Sequence, residues 1–114
     1  MALVLKSTKT YIDRSAIEHS YVYGVIDTIS FEKRRKRYAF IFLDIYKDEV
    51  SSNDNNIKPI AKYSFNVSGE VYFTYFAKTV LNELGKNIWK QGYNYILSLS
   101  DDDAGFNISD FEKD

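Results

Sequence analysis

The chain has no cysteine, one histidine, one proline, one tryptophan and five glycines in 114 residues, and each scarcity excludes a class of protein. Without cysteine there is neither a disulfide framework nor a thiolate metal site, and a reducing setting is permitted. His19 is the lone histidine, so a His-based metal centre or a Ser/His/Asp arrangement would hang on one residue in a polar stretch; it reads as a surface histidine. The glycines are scattered, leaving no Gly-rich phosphate loop. No apolar run approaches the roughly 18 residues of a membrane span. The opening Met1-Ala2-Leu3-Val4-Leu5-Lys6 lacks the charged and long apolar regions of a secretory signal. These absences predict a cytoplasmic protein that is not an enzyme, with no catalytic residues, no metal, no cofactor and no membrane partner. The length suits one domain that buries roughly two-thirds of its unfolded surface.

Aromatic side chains are abundant, with ten tyrosines and eight phenylalanines, and one stretch sorts them. From Tyr38 to Tyr46 a period of two places Tyr38, Phe40, Phe42 and Tyr46 on one face of a strand, and Ala39, Ile41, Leu43 and Ile45 on the other. A strand with one core face needs only the aliphatic set. The aromatic set is either a second buried layer or a platform for something flat. Immediately before it stand five cations, Lys33, Arg34, Arg35, Lys36 and Arg37. Cations that follow phosphates beside rings that stack bases make a single-strand nucleic-acid site, and Tyr21 and Tyr23 on the neighbouring strand extend the candidate platform. Each part has a plainer reading: a basic hairpin tip is often just solvated, and the rings could pack beneath a helix. Their adjacency favours binding.

The net charge of −1 hides a polarity. Residues 1–100 carry 14 Lys and Arg against ten Asp and Glu, whereas residues 101–114 carry six acids against Lys113. A basic body with an acidic end is a hint of nucleic-acid binding. Asp101-Asp102-Asp103 lacks the ligand spacing of a calcium loop. Asp27 and Asp44 fall on adjacent strands as a possible carboxylate pair, with no other part of a nuclease pattern.

The spacing predicts strands over 21–29, 38–47 and 60–67, with Gly24 as a bulge or bend and a Ser/Asn-rich loop at 48–58. The run Phe73, Phe76, Ala77, Val80, Leu81 and Leu84 predicts one helix, capped by Ser68 or Gly69 and by Gly85, with Phe73 and Phe76 in the core. Strands are expected over 93–100 and 106–110, with Trp89 as a plug at the barrel bottom. The result is an all-β protein with one helix, an OB-fold-like five-stranded barrel (β-β-β-α-β-β) over residues 1–110. Residues 1–19 form an N-terminal extension, and 111–114 a short acidic C-terminal tail.

In element order, strand aromatics, basic first hairpin and acidic end, the chain resembles the small OB-fold single-stranded DNA-binding proteins of bacteriophages, over roughly residues 20–110. The resemblance implies a non-catalytic role in DNA replication or recombination in the host cytoplasm. It also implies homo-oligomerisation and a partner-recruiting acidic end, although the chain closes on Asp110-Phe111-Glu112-Lys113-Asp114 rather than Pro-Phe. RNA is a further candidate ligand. The competing reading is a structural or adaptor protein of phage assembly that uses the same aromatics as an oligomer interface.

Overall fold

The computed structural model describes residues 1–32, 38–83 and 87–114; the cationic run Lys33, Arg34, Arg35, Lys36 and Arg37, the helix residue Leu84 and the cap Gly85 lie outside the described residues. Five strands form one antiparallel sheet: β1 (Leu3–Leu5), β4 (Tyr23–Glu32), β5 (Tyr38–Tyr46), β6 (Ala61–Ser68) and β7 (Phe111–Lys113). Their order is β6-β5-β4-β1-β7, curled into a half-barrel that stays open. A small hairpin of β2 (Tyr11–Ile12) and β3 (Glu18–His19) stands apart from this sheet. The structure therefore has the expected sheet-rich architecture but neither a closed barrel nor a single helix.

The alternation in β5 is realised: Ala39, Ile41, Leu43 and Ile45 are fully buried. In β6, Ala61, Phe65 and Val67 point inward while Lys62, Ser64 and Asn66 are exposed. Strand β4 changes phase. Its pairing with β5 shifts register between Ile26 and Thr28, which makes Asp27 the extra residue of a β-bulge. Even-numbered Gly24 and Ile26 are buried before it and odd-numbered Ile29 and Phe31 pack on the core after it, so one inserted residue keeps both halves of an imperfectly alternating strand amphipathic. The Ile26 N–H donates to the Tyr93 hydroxyl at 2.9 Å. Gly24 is not the bulge. A Cβ there would sit 3.0 Å from Ile45 Cδ1 and 3.3 Å from Leu3 Cβ, so glycine leaves room for the Leu3 and Ile45 side chains of the two flanking strands.

The second half of the chain departs most from expectation. The single helix is two, α2 (Gly69–Phe76) and α3 (Lys78–Leu81), broken where Ala77 adopts ψ 144°. Tyr72 and Phe76 fill the core, but Phe73 is half exposed. Residues 93–100, expected as a strand, lie largely within helix α4 (Ile88–Ser98), capped by the Asn87 side chain accepting from the Lys90 N–H at 2.8 Å. Gln91, Gly92, Tyr93, Tyr95 and Ile96 are its buried residues. A Cβ on Gly92 would approach Ile26 Cδ1 to 2.8 Å and Ile29 Cδ1 to 3.0 Å; the missing side chain is what seats the helix on β4. Trp89 is exposed and plugs nothing.

The expected strand at 106–110 is also absent. Asp101–Ala104 form a short helix α5, with the acids in its first turn, where the helix dipole favours negative charge. Gly105 ends it at φ +83°, and a 3-10 turn (Ile108–Asp110) leads into β7. The closing strand is thus Phe111–Lys113, paired with Leu3–Leu5, and Phe111 is buried. What reads in sequence as a free acidic tail is an edge of the sheet. Helix α1 (Glu49–Ser52) opens the Ser/Asn-rich segment, capped by Asp48, and the β2–β3 hairpin occupies the N-terminal extension. That hairpin is pinned to β6 by a 2.6 Å hydrogen bond between the Tyr11 and Tyr63 hydroxyls, and within it His19 meets Asp13 at 2.9 Å. No helix among the described residues is long and apolar enough to cross a membrane.

Candidate nucleic-acid interface

Because the aliphatic half of β5 fills the core, its aromatic half is turned outward. Phe40 is 37% and Phe42 41% exposed, and Tyr38 is half-buried, leaning edge-on against Phe40 with ring centroids 5.1 Å apart. Their cross-strand neighbours are short and polar. Phe40 lies between Ser30 and Asn66, and Phe42 between Thr28 and Ser64, so no long side chain opposite them covers the rings. The two rings, two residues apart on one strand, are about 6.8 Å apart along it. Tyr38 pairs with Glu32 at the end of the described hairpin, and the five cations stand between these two residues in the chain.

The opposite end of the same face is acidic. Asp44, in the aromatic phase of β5, is only 8% exposed. Burial, and then the neighbouring Asp27 charge, push its carboxyl pKa up, while Lys62 and the Tyr46 hydroxyl pull it back. The Tyr46 hydroxyl is pushed up in turn by burial and by both aspartates. Between them lies a depression of about 290 Å³ lined by Asp27, Phe42, Asp44, Lys62, Tyr63 and Ser64. Asp27 reaches it from β4. Lys62 sits directly opposite Asp44 in the ladder but forms no ion pair with a described carboxylate.

The remaining candidates separate. Tyr21 is exposed but precedes β4, where burial and the charges of Glu49, Asp114 and Asp48 raise its hydroxyl pKa. Tyr23 is 8% exposed, and burial followed by Glu49 and Asp114 raises its pKa as well. Tyr23 pairs with Tyr46, at the far end of the ladder from Tyr38, and alternates with the inward Gly24 and Ile26, so it lies on the ring side of the sheet but is covered there. Lys62, Ser64, Thr28 and Ser30 also belong to the face and were not expected there. Alternation in β6 is the signal that would have found the first two, but the bulge hides the last two. A larger apolar hollow of about 510 Å³, lined by Phe31, Tyr72, Phe76 and Leu81 among others, lies away from this face. Among the described residues there is no group of three metal-ligating side chains. No protein-family model, curated protein or solved structure matches the chain.

Proposed function

We propose that the protein binds single-stranded DNA without catalysis, the backbone attracted by Lys33, Arg34, Arg35, Lys36 and Arg37 and the bases stacked on Phe40 and Phe42 with Tyr38 beside them. The observation that carries this reading is the outward exposure of a ring row whose strand already has a complete aliphatic core face. Core packing does not account for the rings, whereas stacking does, at about 1–3 kcal/mol per base. A curled five-stranded half-barrel offering one open face is also the kind of frame on which OB-type proteins bind oligonucleotides. The role that fits is protection of single strands in DNA replication or recombination, in keeping with the resemblance to bacteriophage proteins. RNA remains a ligand of the same chemistry.

One observation favours a second reading. Strand β6 is an edge of the sheet and lies beside the exposed rings, so two copies could join there and use the aromatics as an oligomer interface, as a phage assembly protein would. Titration of fluorescent oligo-dT at two salt concentrations, with duplex as competitor, separates the two. Salt-sensitive binding that prefers the single strand supports the DNA reading. No binding at low salt, together with a concentration-dependent dimer in sedimentation that Phe42→Ala dissolves, supports the interface.

A further inference from the structure

At the acidic end of the platform, the depression beside Phe42 has a donor and acceptor pattern of its own. We infer that this depression, deepening the single-strand reading on which it rests, is a pocket selective for guanine.

The walls can exchange only a restricted set of hydrogen bonds. An ionised aspartate only accepts them and a lysine only donates. Asp27 and Asp44 on two adjacent strands thus supply acceptors, and Lys62 on the third supplies a donor. A phosphate is repelled by two carboxylates, so the occupant is a base and the backbone runs elsewhere. Guanine carries two neighbouring donors, N1–H and the 2-amino group, next to the O6 acceptor. Thymine carries one donor between two acceptors, cytosine and adenine one amino donor beside ring acceptors. Guanine meets two carboxylates with donors on two separate atoms and the ammonium with O6, whereas in adenine and cytosine both N–H bonds come from one amino group flanked by a ring lone pair.

The geometry is built for this and not incidental. Asp27 follows the inward Ile26 onto the outward face, and the bulge keeps Thr28 on that face beside it, a local irregularity of the kind found next to sites. The Phe42 ring forms a wall on which the base stacks, continuous with Phe40. The volume, about 290 Å³, lies just below the range for pockets that hold drug-sized ligands, roughly 300–1,000 Å³, and suits one base. Asp44 is held in an environment that disfavours its charge, a strain that donors from a bound base relieve. A hard cation is the competing occupant, but it would have two carboxylates where such ions take six or more oxygens, with an ammonium among them.

The test measures anisotropy of a labelled oligo-dT carrying a single central guanine, inosine, cytosine or adenine. The guanine oligonucleotide binds about five- to 150-fold more tightly than all-thymine, the range of one good bidentate contact. Inosine, lacking only the 2-amino group, falls between them. The ratio of guanine to thymine affinity is lost in Asp44→Asn and, for a residue whose change does not touch the core, in Asp27→Asn. Equal affinity for all four bases alongside salt-sensitive oligo-dT binding overturns the pocket and leaves the platform standing. Absence of binding to any oligonucleotide overturns both. A guanine preference that appears only when magnesium is added would reassign the two aspartates to a cation.

Discussion

The two faces of β5 differ by a shift of one residue and have opposite fates. Ile41 and Leu43 are sealed beneath the helices, while Phe40 and Phe42, interleaved with them and more apolar in bulk, stand in solvent. Hydrophobicity alone does not decide which set is buried. The inward set joins a core of Ile26, Val67 and Ile96 with the rings of Phe65, Tyr72, Phe76 and Tyr93, which close-pack around it. The outward set is left by the same decision, because a strand cannot turn both faces to one core.

The largest effect expected concerns closure of the inward side. Phe111→Ala removes the buried ring that anchors β7 to β1 and should lower unfolding free energy by about 3–5 kcal/mol, read from urea midpoints. Near-wild-type stability would mean that β7 is the detachable tail that its composition suggests. The comparison within β5 comes next. Leu43→Ala should cost about 2–5 kcal/mol of stability. Phe42→Ala should leave the melting temperature close to wild type and weaken oligo-dT binding by about 1–3 kcal/mol. A Phe42→Ala protein that melts much earlier and binds normally would make the outward face structural.

The replacement of Arg34, Arg35 and Arg37 together by Ala should flatten the dependence of log affinity on log salt by about 0.7 for each phosphate no longer neutralised. An unchanged slope removes these residues from the site.

The smallest effect reads the acidic end. The Asp44 pKa is raised in the folded protein, so folding favours its protonated form. The charged carboxylate is then a cost to stability above the folded pKa, and this cost fades as pH falls towards the unfolded value of about 3.9. Asp44→Asn should therefore raise the melting temperature at pH 7 and lose that advantage near pH 3.5. Equal gains at both values would show that the charge is not what strains the site.

Much of this molecule is written locally. Alternation in β5 and β6, the candidate platform residues Phe40 and Phe42, and the carboxylate pair Asp27 and Asp44 are legible because a period of two sorts a strand's faces without reference to the rest of the chain. The misread elements are those in which a short apolar run satisfies two periods at once. In residues 93–99, Tyr93, Tyr95, Leu97 and Leu99 alternate, yet Gly92, Tyr93 and Ile96 also share a helical stripe. The outcome depended on the sheet, whose concave side accepts a helix at Gly92 and offers the Ile26 N–H to Tyr93. In the same way Phe111 reads as a tail until β1, at the other end of the chain, presents an unpaired edge at Leu5. Tyr23, with the same ring chemistry as Tyr21, is buried where Tyr21 is not, because its strand position pairs it with Tyr46. Which strands are two-faced, and which side chains each face carries, follows from residue order and backbone geometry alone. Which face meets the core, where the bulge falls and which strand ends the sheet were settled only on folding, because those depend on partners distant in the chain whose backbone groups and cavities must be filled together.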